Sequence, residues 1–411
     1  MGELDRVLRE GASLHDAGRY DEALALYDRA AACWPNLALL WNNRGNTLLE
    51  MQRWPEAADS YQRALKLAPG LHDARVALAS CLQALGHVRE ALASCDAVLR
   101  SEPQHAEAHW NRALLLLLLD NYAEGFREYE WRWRKRRFTS PQRAFEQPRW
   151  RGEALQGKTI LIYAEQGLGD TIQFARYLPQ LVELGGQVLF ECHPQLTRLM
   201  STLGEGITVV PFDAPLPDFD LQLPLLSLPH VCATTFELIP ADLPYLAPPS
   251  AVVPFWQSVL PQRHDALRRV GLCWSGRAYP DPGRSVPPQL LAPLAACPGL
   301  EFYSLQLGEV ERPPLPLVDL TMLITDFADT AALIAQLDLV ITIDTSVAHL
   351  AGALGKEVWV MLPFAPDWRW GLVRETCPWY PTARLFRHNH RNDWQDPIML
   401  VADCLTNPES C

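Results

Sequence analysis

The sequence predicts an all-α N-terminal solenoid followed by an α/β body made of two doubly wound domains. Three observations carry this reading. Five positions recur at a spacing of 34 residues within the first hundred. After Lys158, short β-branched runs alternate with helix-patterned segments. Charge and proline change between the two regions: residues 1–126 hold 12 basic and 17 acidic side chains, residues 127–151 hold 9 and 3, and residues 152–411 hold 15 and 28. A basic connector therefore separates two acidic bodies. Only 6 of the 34 prolines precede Trp150, whereas 11 fall in the 51 residues from Pro211 to Pro261, where a second linker is expected. A chain of 411 residues has room for two or three domains of ~150 residues. Its 48% hydrophobic and 20% charged content excludes disorder or coiled coil as the main architecture.

The first body is built from a repeated unit. Gly11, Ala23, Tyr27, Ala30 and Pro35 return as Gly45, Ala57, Tyr61, Ala64 and Pro69, and a third copy keeps Ala79, Ala91, Cys95, Val98 and Pro103. Each copy reads as two amphipathic helices, with a small residue at the close approach and a proline ending the second helix. A fourth copy, from Ala106 to about Trp133, keeps Ala113 and Tyr129 but carries Gly125 and Arg132 at the small helix-B positions, as a capping repeat would. This register resembles the tetratricopeptide repeat over residues 4 to about 105. The resemblance implies a protein-binding module with a concave groove for an extended peptide. Asn43 and Asn111 are expected to line that groove, where side-chain amides can pair with a peptide backbone; the alternative is that they are solvated.

Residues 128–138, EYEWRWRKRRF, combine five basic residues and two tryptophans. No nucleic-acid fold surrounds them and both flanking bodies are acidic, so a segment packing between the bodies is expected rather than a nucleic-acid site. The longest apolar stretch of note, Ala113–Leu119, is far short of the ~20 residues that span a bilayer. The N-terminal MGELDRVLREG has no apolar leader, so no membrane span and a cytoplasmic location are expected. Ten scattered cysteines without a CxxC pair read as reduced thiols.

The expected boundaries are residues 1–137 for the solenoid, 138–157 for a linker, and 158–262 and 263–411 for the two α/β domains. In parallel sheets, ligands bind outside the carboxyl ends of the strands, so the loops after strands are the candidate sites. Gly167, Gly169 and Asp170 follow the first strand, TILIY; an Asp there can simply cap the next helix. Asp344, Thr345, Ser346 and His349 follow the strand LVITI, and a helix start bearing hydroxyls suits a phosphate. The loop RAYPDPGR after VGLCW brings up Arg284, a guanidinium able to clamp a diphosphate. Gln306 and Glu309 follow the strand FYSL and could bond a ribose or base. Asp218 and Asp220 form a DxD in the proline-rich stretch, where no metal site is expected. Asp367 and Arg369, in PFAPDWRW, are expected to pair with one another.

GLGDTIQFARYLP, the run Arg284–Ser285–Val286–Pro287, and IDTSVAHLAGALG resemble the family 9, heptosyltransferase-like glycosyltransferases over roughly residues 155 to 405. The resemblance implies a GT-B pair of Rossmann-type α/β domains, with 158–262 on the acceptor side and 263–411 binding a nucleotide-sugar. It implies Asp170 as catalytic base and Gly167, Gly169, Arg284, Asp344, Thr345, Ser346 and His349 around the donor diphosphate. Arg284 stands where the family usually has lysine. The nucleotide-sugar would be a substrate, with neither cofactor nor metal required. The combination with repeats is similar to bacterial tetratricopeptide-containing glycosyltransferases, which implies inverting single displacement onto a protein or peptide acceptor. Two other readings are a non-catalytic interaction scaffold with a degenerate GT-B fold and a lipopolysaccharide heptosyltransferase. The repeats disfavour the last, because a lipid-sugar acceptor needs no peptide groove.

Overall fold

A computed structural model describes residues 2–136, 138–277, 282–388, 391 and 393–407. It divides into two compact units, Met1–Phe138 and Thr139–Cys411. Residues 278–281 of the expected arginine loop lie outside the described residues.

The first unit is four antiparallel helix pairs: α1 (Glu3–Asp16) with α2 (Tyr20–Cys33), α3 (Ala38–Glu50) with α4 (Trp54–Leu67), α5 (His72–Ala84) with α6 (Val88–Ser101), and α7 (Ala106–Leu118) with α8 (Tyr122–Tyr129). The repeated residues account for the pairing. Ala23, Ala57 and Ala91 are fully buried, and a Cβ on Gly11 or Gly45 would lie 2.5 Å from Tyr27 or 2.7 Å from Tyr61. In the third pair the bulky partner is replaced by Cys95, and Ala79 fits where glycine stood, both fully buried. A 3₁₀ turn, Glu130–Arg134, continues α8. Within it Arg132 is fully buried, its guanidinium against the rings of Tyr129 at 5.2 Å and Trp133 at 5.0 Å and bonded to Glu130 at 2.7 Å.

The described contacts of the basic run include several with the repeat helices. Trp131 stacks on His109 at 3.7 Å, Lys135 lies 4.5 Å over Trp110, and Arg136 pairs with Glu107 at 2.9 Å and Asp73 at 3.2 Å. Burial pushes the Lys135 ammonium below its usual range. These cations are spent on aromatic faces and carboxylates of their own unit.

The second unit contains two parallel sheets. The first is formed by β1 (Thr159–Tyr163), β2 (Gln187–Cys192), β3 (Ile207–Pro211) and β4 (Leu221–Pro224), in the order β3-β2-β1-β4. Its connections carry α9 (Leu168–Phe174), α10 (Leu178–Glu183) and α11 (Thr197–Met200), and α12 (Leu228–Val231) follows β4. Helix α13 (Val253–Val259) leads to the second sheet: β5 (Arg268–Cys273), β6 (Leu300–Ser304), β7 (Leu317–Val318), β8 (Leu339–Ile343), β9 (Val358–Leu362), β10 (Thr376–Cys377) and β11 (Tyr380–Arg387). Its order is β10-β11-β9-β8-β5-β6-β7, parallel except for the β10–β11 pair. Helices α14 (Phe327–Ala335), α15 (Ser346–Ala353) and α16 (Gln395–Thr406) complete it. Strand β8 is buried throughout, as expected of a strand covered on both faces.

PPQLLAPLAAC forms a 3₁₀ helix, Pro288–Ala296, with Pro293 inside it, because proline removes amide donors and crowds the preceding turn. Among the described residues, eight cysteines are free thiols. No helix among the described residues is long and apolar enough to cross a membrane.

In both sheets successive crossovers run to opposite sides of one strand. The reversal lies between β1 and β4 in the first sheet and between β5 and β8 in the second. Crevices outside the carboxyl ends of such strands are where α/β folds hold ligands.

Candidate functional site

The loop after β8 leads directly into α15. Thr345 is the residue before its first turn and makes no side-chain cap; its hydroxyl lies 3.2 Å from that of Thr342. The first N–H groups of α15 therefore lack the usual side-chain acceptor. Arg284 reaches this loop from after β5. Its Nη1 lies 3.5 Å from the Asp344 carbonyl oxygen and its Nη2 3.1 Å from that of Arg277. Its Nε is buried without a hydrogen bond. The approach needs Gly276, where a Cβ would sit 2.8 Å from that Nε.

His349 lies one turn into α15 and is buried. Its Nδ1 is 3.0 Å from the Tyr380 hydroxyl, its ring stacks on Trp370 at 5.5 Å, and its Nε2 is 4.0 Å from Asp344 Oδ1. Burial, with Arg369 and Arg176 nearby, pushes its pKa far below the usual histidine range, so the imidazole is neutral and packs rather than supplying charge. Asp344 is pushed up to about 6 by burial and by Asp367, against the opposing pull of Arg369.

The loop after β1 carries Gly167, Gly169 and Asp170. The Gly167 N–H donates to Asp170 Oδ2 at 2.8 Å, the helix-cap arrangement. Asp170 Oδ1 accepts a short hydrogen bond from Arg369 Nη2. Arg369 also pairs with Asp367 at 2.9 Å, as expected, donates Nε to Gln173 Oε1 at 2.5 Å, and lies 4.4 Å over Trp368. The bond to Asp170 joins residues 199 positions apart, and no local pattern announced it. Helix α9 packs against α15. A Cβ at Gly169 would lie 2.8 Å from His349 Cδ2 and 3.6 Å from Ser346 Cα, so the glycine is what lets the two loops meet.

The remaining candidates fall elsewhere. Gln306 Oε1 accepts from the N–H groups of Trp274 at 3.1 Å and Ser275 at 2.8 Å, and its Nε2 donates to the Leu307 carbonyl. Its amide thus braces the loop after β5. Glu309 is exposed in the loop after β6. Asp220 accepts from the Thr159 N–H at 2.8 Å, which ties down the start of β1. No cluster of three metal-ligating side chains occurs among the described residues. Within the first unit, Asn111 Nδ2 donates to Ser80 Oγ at 3.0 Å and Asn43 Oδ1 accepts from Asn42 at 3.3 Å, so both amides serve the solenoid itself.

Sequence reasoning passed over His193, which follows β2 beside this loop. Its Nδ1 is 3.3 Å from Thr171 Oγ1, its ring meets Phe212 edge-on at 4.8 Å, and burial lowers its pKa. A histidine directly after an expected strand was the available signal.

Comparison with known proteins agrees with the two-part reading at its N-terminal end. Two models described as tetratricopeptide repeat match residues 4–70 and 48–118. Sperm-associated antigen 1 of Mus musculus is 32% identical over 101 residues, 25% of this chain and 11% of that protein. Protein FlbA of Caulobacter vibrioides is 30% identical over 429 residues, covering 96% of this chain and 71% of that protein. The chain belongs to the FlbA family. The FlbA alignment extends over both the repeats and the α/β unit. Among solved structures, a crystal structure of MamA covers 31% of this chain and 75% of its own, at 17% identity and a TM-score of 0.30. The second tetratricopeptide domain of human RPAP3, solved with an HSP70 peptide, covers 26% and 89%, at 26% identity and a TM-score of 0.26.

Proposed function

We propose that the α/β unit is a GT-B, family 9-like glycosyltransferase that moves a sugar from a nucleotide-sugar to a polypeptide bound by the repeats. The observation that carries this reading is the meeting of the Gly167–Asp170 loop with the start of α15, at the reversal points of two parallel sheets and with Arg284 alongside. A nucleoside diphosphate is the leaving group such a crevice can stabilise. The uncapped N–H groups of α15 and the Arg284 guanidinium offer donors and positive potential where its charge develops. In an inverting displacement the acceptor oxygen bonds the anomeric carbon, the carbon–oxygen bond to the diphosphate breaks with its electron pair leaving on the diphosphate, and the acceptor proton passes to a base. The family resemblance gives that last role to Asp170, on the first-sheet side.

A second reading, a non-catalytic scaffold, draws support from the engagement of both Asp170 oxygens and of the Gln306 amide. Titration calorimetry of the full chain against UDP, GDP, ADP, CDP and dTDP separates the two. The transferase reading expects one of them to bind in the micromolar range and to lose affinity at least tenfold in Arg284→Ala. Absence of binding to all five would favour the scaffold.

A further inference from the structure

The residue best placed to accept a proton beside the first sheet is one that neither the motif nor the resemblance names. Asp170 has its Oδ2 on the Gly167 N–H and its Oδ1 on Arg369. These two bonds fix the carboxylate within its own loop, which suits Asp170 to holding that loop in place. His193 stands immediately beyond the carboxyl end of β2, whose neighbour β1 supplies the Asp170 loop. It is half-buried.

Its neighbours accommodate one tautomer suited to that role. Thr171 has one hydroxyl proton. The carbonyl of Gly167 lies 3.1 Å from that hydroxyl, closer than His193 Nδ1 at 3.3 Å. With the proton donated to Gly167, a ring protonated at Nδ1 donates to the Thr171 oxygen and leaves the lone pair on Nε2, which is the tautomer the assignment requires. Phe212 packs edge-on at 4.8 Å and limits rotation of the ring. In that tautomer the ring has the geometry of a general base, with its basic nitrogen turned away from the group that positions it.

We propose that His193 Nε2 takes the proton of the acceptor hydroxyl, while Asp170 and Arg369 hold the loop that frames the crevice. The proposal rests on the transferase reading. As the acceptor oxygen bonds the anomeric carbon, its proton moves to Nε2, the ring becomes imidazolium, and the diphosphate departs with the electron pair of the broken bond. Burial lowers the pKa of the ring, which favours its neutral form.

The test uses the full chain with the donor selected from a panel of UDP-, GDP-, ADP- and dTDP-sugars. His193→Ala is expected to lower turnover by about 10²–10⁴-fold, to leave the donor dissociation constant within about twofold, and to recover turnover on addition of imidazole. A purely structural role would yield no imidazole rescue. Unchanged turnover in His193→Ala, or a loss that imidazole does not restore, overturns the assignment and leaves the transferase reading standing. Failure of the wild type to bind any donor overturns both. Nitrogen-15 histidine NMR checks the chemistry without turnover: protonated Nδ1 with bare Nε2 at pH 7 supports the proposal, and the reverse tautomer overturns it.

Discussion

Replacing Asp344 with asparagine should make the protein more stable at neutral pH relative to wild type, and the gain should disappear in acid. The carboxyl stands between Arg284 and His349 at the end of β8, with 19% of its side chain exposed. Burial and the neighbouring Asp367 raise its pKa from 3.8 to about 6. Between those values the native state binds the proton more tightly than the unfolded chain does. Stability from this group is therefore fully present below about pH 3.8 and is lost as pH rises through 6. At about 1.36 kcal/mol per pH unit the loss is about 3 kcal/mol, as an order of magnitude. Asparagine does not titrate. The stability of Asp344→Asn minus that of wild type should thus grow by about 3 kcal/mol between pH 4 and pH 8. Urea unfolding at several pH values measures it, with hydrogen exchange of the β8 amides as the local readout. A difference that is flat with pH, or that shrinks as pH rises, refutes the reasoning.

Arg369→Met leaves the carboxylates of Asp170 and Asp367 without their cation and should cost about 2–4 kcal/mol in urea unfolding, less than for a fully buried pair because 35% of the Asp367 side chain is exposed. A double-mutant cycle with Asp170→Asn should show at least about 1 kcal/mol of coupling. Gly45→Ala drives a methyl group to 2.7 Å from the Tyr61 ring and should cost about 1–3 kcal/mol in thermal or urea unfolding. Adding Tyr61→Cys should recover part of that cost by reproducing the Ala79–Cys95 pair of the third repeat.

The repeats were readable because their decisive contacts are local. Gly11 meets Tyr27 and Gly45 meets Tyr61 inside one 34-residue unit, so a single chain displays the pattern more than once. Strands such as β1 and β8 were readable because burial on both faces requires an unbroken apolar run. β11 was not: Pro381, Arg384 and Arg387 interrupt its apolar pattern, and it is a strand because β9 supplies its ladder. The site was legible as separate loops but not as an assembly. Asp344, Thr345 and Ser346 follow a strand in sequence, yet the bond between Asp170 and Arg369 joins different sheets. Gln306 has the chemistry of a ligand contact, and only the fold reveals that backbone amides already occupy it.

The segment from Trp131 to Arg136 makes the fourth helix pair unlike the first. A stack of repeats gains stability from each neighbour. In the fourth pair the fully buried Arg132 lies against Tyr129, Trp131 and Lys135 pack on His109 and Trp110 of α7, and the exposed Arg136 pairs with Glu107 and Asp73. In the first pair, α1 buries only Val7 and Gly11, and its first turn lacks a side-chain cap. Amide protection should therefore be lower in the first pair than in the fourth. A partner that grips the first pair would tighten the weakest joint in the stack, so its binding energy would be spent partly on order within the repeats themselves.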